Sequence, residues 1–533
     1  MIIEDALRDI GDIIRDMGVA PGENFLSFSE HADLSSNIAF SLAGKLKQAP
    51  MDIARQLKEK IETIDYIDRV ETAKPGFINI FIIDSAVSRE IVSVLESDNY
   101  GSIKSKNQKV NIEFISANPT GPLVVVNARA GIVGSLLANV MNYSGIEAVR
   151  EFYVNDSGNQ VRKLGESILW QIADSKPVFP ENGYRGEYIR EIAQSIEKKT
   201  GRLEWSDENI ELCAESGKKH IIKWQKESLA RYNIDFDNWV YESDVIAKGM
   251  INEVLTILKE ENMIYEKDGA VFFKASEVSS DEDRVIVKSD GNYSYFLPDI
   301  AYHYYKIKRG YPRMIDILGP DHHGYIDRIK GAVQVLSDRA SLEVIIAQLI
   351  TLLKDGKQFE MSKRKGDFIT MDELADEIDP DVVKFMFLTR KLSQPMDFDI
   401  DEAMKTTMDN PLYYVQYAHA RICSIFSKAE DAEYPASIEA LFEIPLAREL
   451  AVKIFEYPYV LYGIASHYEI QKLTNYLIEL SRILHKFYYK YRVISENRED
   501  MAMKMLLIDA VRKIIAHGLD MMNIKPKERM EDE

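Results

Sequence analysis

Residues able to do chemistry gather in five short stretches of this 533-residue chain: SANPTGP (116–122), FYVNDSGNQ (152–160), YFLPDIAYH (295–303), GPDHHGYIDRIKGA (319–332) and EMSKRKGDFIT (360–370). The last belongs to a basic run in which Lys354, Lys357, Lys363, Arg364 and Lys365 crowd a glycine-containing segment, suited to an anion or equally to a solvated loop. Tyr295 and Asp299 stand four apart, so a helical turn would set both on one face as a single pocket wall. The alternative is that Asp299 caps a helix beginning DIAYHYY. Asp321, His322 and His323 would suit either a loop satisfied by its own hydrogen bonds or a metal cluster, but the further Asp and His motifs of such a cluster are not apparent, and no metal is expected. A second basic run, RILHKFYYKYR, interleaves Arg482, Lys486, Lys490 and Arg492 with Phe487, Tyr488, Tyr489 and Tyr491. It fits an RNA surface or a solvated helix face.

Elements that would position these residues follow from periodicity. In KVNIEF, Val110, Ile112 and Phe114 alternate with Asn111 and Glu113, the period of a strand. After the SANPTGP loop, Ile132, Val133, Leu136, Leu137, Val140 and Met141 fall at helical spacing, with Gly145 as a stop and EAVREFYV as the next strand. Strand, helix and strand within about 45 residues predict a right-handed βαβ unit in a parallel sheet, whose reactive loops sit at the carboxyl ends of strands. MIDILG, followed by GPDHHGY, makes a second such point. Residues 161–290 read as a mostly helical insertion, PGFINIFI closes a small N-terminal α+β domain, and the chain is helical from about Asn410. There NPLYYVQYAHARI places Tyr413, Tyr414 and Tyr417 in an aromatic stripe typical of core packing.

Composition sets limits. The length implies about three or four domains. Hydrophobic residues at 46% and charged residues at 29%, with 17 prolines, exclude a disordered scaffold. The longest apolar run, residues 344–353, falls short of the ~20 residues a membrane span needs. The acidic start MIIEDALRD lacks the form of a signal peptide, and Cys213 and Cys423 cannot build a disulfide framework, which points to the cytoplasm. A formal charge of −20 argues against sequence-independent wrapping of nucleic acid, leaving RNA contacts to local basic patches.

In this order and spacing the five segments resemble arginyl-tRNA synthetase, a class I aminoacyl-tRNA synthetase. The likeness extends through DLSSNIAF and AKPGFINI at the N-terminal end and MDNPLYYVQYAHARI toward the C-terminal end. It implies an α/β protein with three parts. These are an N-terminal α+β domain contacting the tRNA elbow (1–96), a Rossmann-like parallel-sheet catalytic domain (107–409, with a helical insertion at about 161–290), and an all-α helix bundle contacting the anticodon (410–533). It also implies a monomeric enzyme that joins L-arginine to ATP, with Mg2+, as arginyl-adenylate and passes the arginyl group to arginine tRNA. A planar guanidinium with five donors pairs best with carboxylates. The resemblance sets Glu113 and Asp299 against it, Tyr295 beside it, and Asn118 and His322 at the α-amino end. Its nucleotide positions are Pro119, Gly121, Val124, Val126, Asn127, Gly319, Asp321, Met361, Ser362, Lys363 and Arg364. Lys363, on the mobile lysine loop, and Asn127 are the catalytic candidates.

One signature departs from the family. Where class I enzymes carry His-x-Gly-His at the start of the helix after the first strand, this chain has Val124, Val125, Val126 and Asn127. Asn127 is able to cap the helix and donate a hydrogen bond but carries no imidazolium charge, and Val126 occupies space that glycine would leave for adenine. Two readings result: an arginine–tRNA ligase with a divergent phosphate site, or a non-catalytic tRNA-binding paralogue with a disabled ATP site.

Overall fold

The computed structural model describes residues 1–22, 25–29, 31–102, 108–359, 369–429 and 433–530, the side chains of 321–323 excepted. Two compact units form. One comprises residues 1–104, 411–521 and 525–533, the other 105–410 and 522–524.

In the first unit the helix Ile2–Asp16 buries Ile3, Ala6, Ile10 and Ile14, a stripe spaced three or four residues apart. A four-stranded antiparallel sheet follows, in the order Ser27–Ser29, Ala32–Ser36, Phe77–Ile82 and Ile67–Ala73. The helices Pro411–Phe426, Pro445–Phe455, Tyr457–His467, Gln471–Lys490 and Arg498–Met521 belong to the same unit. Arg448 joins its two ends in sequence, forking onto Asp33 at 2.7 and 2.9 Å and reaching Asp84 at 2.7 Å. The N-terminal α+β region and the C-terminal bundle, expected as two separate domains, therefore share one compact unit.

The second unit is built on a five-stranded parallel sheet in the order Ser341–Ile346, Arg313–Leu318, Lys109–Phe114, Glu147–Val154 and Asn238–Tyr241. The strand Lys109–Phe114 is central and buried on both faces, so Asn111 and Glu113 are as hidden as the apolar residues between them. The helix Val125–Tyr143 follows it. Gly134 of that helix lies on Phe114, where a Cβ would stand 2.4 Å from the ring. Gly134→Ala is expected to cost ~1–3 kcal/mol by overpacking, read as a lowered denaturation midpoint.

The expected helical insertion at 161–290 requires correction. Gly158–Ile172, Glu187–Thr200 and Asp207–Arg231 are helices, but Asn238–Tyr241 returns to the main sheet as its edge strand. Ile264–Lys267, Ala270–Phe273 and Arg284–Val287 then form a separate three-stranded antiparallel sheet. NWVY has only four residues, too few to display a period against the helices around it. Among the described residues no helix is long and apolar enough to cross a membrane.

Candidate active site

Loops at the carboxyl ends of the sheet strands surround a cavity of about 550 Å³ in the second unit. Glu113, Asn118, Tyr295, Asp299 and Gly319, drawn from three separate stretches of sequence, line it together. Tyr295 immediately precedes the helix Phe296–Lys308, and Asp299 lies in its first turn. Because the helix starts three residues before Asp299, that residue is not its cap. Tyr295 is 74% exposed, and its ring centroid stands 6.2 Å from that of Tyr325 on the opposite wall.

Glu113, His303 and Asp316 of the cavity lining join Lys306 in a quartet of buried charges. Lys306 Nζ donates to Glu113 Oε2 at 2.6 Å and to Asp316 Oδ1 at 3.0 Å. His303 meets Asp316 Oδ2 through Nε2 at 2.8 Å and the Asp299 carbonyl oxygen through Nδ1 at 2.9 Å. Both imidazole nitrogens face acceptors, so donating to both requires the doubly protonated ring. Burial is the largest single influence and opposes that charge, but Asp316 and Asp299 together outweigh it and raise the His303 pKa to about 10. Burial would likewise raise the Asp316 carboxyl, yet Lys306 and His303 bring it down to about 2.

The quartet is neutral: Glu113 and Asp316 balance Lys306 and His303. Asp299 then shares the His303 imidazolium with Asp316, and Glu242 has no ion pair among the described residues, so the cavity carboxylates outnumber the cations beside them. Asp299 accepts from the Tyr325 hydroxyl and stands 3.3 Å from His303 Nδ1. Glu242 accepts from Tyr153 Oη at 2.9 Å and from Ser157 Oγ, both neutral donors. Arg328, also on the wall, is engaged by Asp281 at 2.6 Å. The arrangement offers a net negative pocket with tyrosine rings on its walls, suited to a planar cation.

The SANPTGP loop is held from several sides. Ser116 Oγ donates to Glu113 Oε1 at 2.8 Å and accepts from the Tyr153 amide at 3.1 Å. Asn118 turns its Nδ2 to Gln160 at 2.7 Å. Pro119 is exposed. Gln225, buried on the helix Asp207–Arg231, donates to the Asn118 and Gly121 carbonyls at 3.2 and 3.0 Å. Val124, Val126 and Asn127 are half-buried at the start of the next helix and do not line the cavity. Asn127 accepts from the Val124 amide at 2.9 Å, which commits its oxygen and leaves Nδ2 for any phosphate.

The same helix start is stitched to the chain beyond the basic segment. Val125 donates to the Ile369 carbonyl at 3.1 Å and Met371 to the Leu123 carbonyl at 2.8 Å. Asp372 is gripped in turn by Trp224 Nε1 at 2.8 Å and Ser228 Oγ at 2.7 Å from the helix Asp207–Arg231. Met361, Ser362, Lys363 and Arg364, with the side chains of Asp321 and His322, lie outside the described residues. Among the described residues no group of three His, Cys, Asp or Glu side chains is arranged to hold a metal ion.

Sequence reasoning missed Glu242, Tyr153, Tyr325, His303 and Lys306. Asp299, His303 and Lys306 recur at i, i+4 and i+7, one face of a helix, and that spacing was available to find the last two. Glu242 had no such signal while Asn238–Tyr241 was read as part of a helical insertion.

In the first unit, a polar cavity of about 460 Å³ is lined by Tyr417, Arg421, Cys423, Lys428 and Arg529, among others. Tyr414 and Tyr417 pack on His485 with ring centroids 4.8 and 5.7 Å away, so the tyrosine stripe is partly core and partly cavity wall. In the neighbouring basic run, Phe487 is buried, Tyr488 receives a hydrogen bond from Arg421 at 2.9 Å, and Tyr489 is 90% exposed.

Three family models match the chain. The arginyl tRNA synthetase N terminal domain matches residues 2–82, the catalytic domain of class I tRNA synthetases (R) residues 90–391, and the DALR anticodon binding domain residues 415–530. An arginine–tRNA ligase from Symbiobacterium thermophilum is 38% identical over 521 residues, covering 94% of this chain and 92% of the relative. Another, from Aquifex aeolicus, is 34% identical over 551 residues, covering 94% of each. The crystal structure of arginyl-tRNA synthetase from Thermus thermophilus shares the fold, with a TM-score of 0.80 at 20% identity over 99% of this chain and 100% of that one. With a catalytic-domain match over more than half its length and such identity across nearly all of it, the chain belongs to the arginyl-tRNA synthetase family, class I.

Proposed function

We propose that this protein is an arginine–tRNA ligase, which activates L-arginine with ATP and transfers the arginyl group to arginine tRNA. The observation that carries the reading is the cavity itself, whose lining combines Asp299, which shares His303 with Asp316, and Glu242, which has no ion pair among the described residues, with Tyr295, Tyr325 and Tyr153. Two carboxylates accept the guanidinium donors in the plane of the group, and the rings take its faces. Asn118 and His322 hold the α-amino end, directing the substrate carboxylate toward the start of the helix Val125–Tyr143.

There the carboxylate oxygen attacks the α-phosphorus of ATP and pyrophosphate leaves. Pro119, Gly121, Val124, Val126, Asn127, Gly319, Asp321, Met361, Ser362 and Arg364 are assigned to the nucleotide, and Lys363 to the phosphate charge that shifts in the transition state. A terminal ribose hydroxyl of the tRNA then attacks the acyl carbon and AMP departs. Mg2+ belongs to this reading only as the companion of the ATP phosphates; the described side chains build no site for it, and no step is assigned to it. The basic cavity around Arg421, Lys428 and Arg529 and the exposed Tyr489 are assigned to RNA. A single chain holds every residue invoked, which supports a monomer, and the cytoplasm is the compartment where such a reaction is used.

The experiment is a charging assay with purified protein, L-arginine, ATP, Mg2+ and the arginine tRNA of the same source. Charged tRNA is the expected product. Tight, salt-sensitive tRNA binding without any product would support the non-catalytic paralogue instead.

A further inference from the structure

Where the strand Lys109–Phe114 ends, the chain does something costly. Ile115 and Ser116 take φ of 70° and 40°, and a β-branched residue in that region is a steric outlier that persists only when its surroundings over-determine it. Both residues line the cavity, and the turn they make delivers Asn118 to it. The polar side-chain anchor of that turn is the Ser116 hydroxyl on Glu113 Oε1, at 2.8 Å. Ionised, Glu113 accepts that bond with charge assistance, and protonated it accepts far more weakly through one carbonyl oxygen, in a setting where its side chain is only 8% exposed. Its counter-ion is Lys306, fully buried and 2.6 Å away. Lys306 does not line the cavity, so substrate contact does not account for it.

We propose that Lys306 is a positioning residue for the amino-acid site: its ammonium keeps Glu113 ionised, Glu113 then holds Ser116, and Ser116 locks the left-handed turn that shapes the arginine pocket. The proposal rests on the reading of the cavity as the arginine site. It assigns to Glu113 a supporting task, in place of the leading guanidinium contact that the sequence suggested. Burial pushes the Glu113 carboxyl above its usual range, and Lys306 is the largest influence opposing that rise.

The sign of the pH effect follows from what faces Glu113. Lys306 and His303 approach from the helix Phe296–Lys308, Asp316 from the neighbouring strand, the phenols of Tyr302 and Tyr153 from beside it, and Ser116 from its own loop. Removing Lys306 leaves His303 as the remaining cation acting on Glu113, and His303 is already shared between Asp316 and Asp299. Without Lys306 the burial that raises the Glu113 carboxyl goes largely unopposed, so protonation gains as pH falls and the charge returns as pH rises. In the intact protein the Lys306 ammonium, 2.6 Å away, favours the ionised form.

The test is calorimetric titration of L-arginine into the full chain at pH 6.5, 7.5 and 8.5, which requires neither ATP nor turnover. Intact protein should bind with nearly constant affinity. Lys306→Met should bind about 10- to 100-fold more weakly at pH 6.5 and recover at least about fivefold by pH 8.5, and Lys306→Arg should recover most of the affinity at every pH. Ser116→Ala, which leaves the buried charges in place, should weaken binding about 5- to 10-fold without pH dependence. It keeps the idea testable should the methionine variant fail to fold. A Lys306→Met loss identical at all three pH values, or a Ser116→Ala affinity within about twofold of the intact protein, overturns the proposal. No arginine binding by the intact protein would overturn the substrate assignment itself, a separate failure.

Discussion

Asp299→Asn is expected to weaken L-arginine binding and lower kcat/KM for arginine by about 10²–10³-fold. The change keeps the shape of the side chain and removes its charge. Charge-assisted hydrogen bonds are worth ~1.5–3 kcal/mol each, and a guanidinium pairs with a carboxylate through two of them. Losing the charge, and turning an amide N–H toward the cation, corresponds to ~3–4 kcal/mol, at ~1.4 kcal/mol per factor of ten. The helix Phe296–Lys308 should survive, because Asp299 is half-buried in its first turn and His303 is anchored through the backbone carbonyl of Asp299 rather than its carboxylate alone. Preference for arginine over citrulline, which has the same outline and no charge, should collapse in the variant. If Asp299→Asn bound arginine within about threefold of the intact protein, the guanidinium would have to lie elsewhere, with Glu242 as the next carboxylate to test.

Lys363→Ala is expected to lower the rate of tRNA charging by about 10²–10³-fold while L-arginine affinity stays within about twofold. The argument begins with what the phosphate site lacks. Val124 and Val126 bring no donor to the start of the helix Val125–Tyr143, and Asn127 spends its oxygen on the Val124 amide. Cationic help for the phosphates must then come from the lysine segment. The chain just beyond that segment is held at the helix start, because Ile369 and Met371 exchange backbone hydrogen bonds with Val125 and Leu123. Lys363 is six residues from Ile369, so a fully extended chain would span at most ~20 Å from that anchor. Removing one positioned transition-state donor typically costs ~10²–10³ in rate. With both imidazoles of the family signature absent, less remains to share the load, so the upper part of that range applies. An alanine variant charging tRNA within about threefold of the intact enzyme would show that the phosphates are served by other residues.

Much of the catalytic unit was legible in its local patterns. KVNIEF, EAVREFYV and MIDILG are strands of one parallel sheet, and the helix that opens at Val125 ends before Gly145 as its apolar spacing indicates. The family resemblance supplied Glu113, Asn118, Tyr295 and Asp299, and the fold gathers all four around one cavity. The four-residue strand Asn238–Tyr241 escaped because short runs carry no decisive period, and with it went Glu242. The alternation in KVNIEF suggested one polar face, but a central strand covered on both sides buries Asn111 and Glu113 as well, which local periodicity cannot reveal.

By itself, the sequence determined which side chains could meet a guanidinium and a phosphate, since residue type and strand-end spacing are written in the order of the chain. Only the tertiary structure decided which charges are already spent. Glu113 and Asp316 are neutralised by Lys306 and His303, Asp299 has only a share of His303, and Glu242 has no ion pair among the described residues, because the fold brings these side chains together where water is excluded. In that low-dielectric space an ion pair that would be weak at the surface sets both the protonation and the orientation of its members.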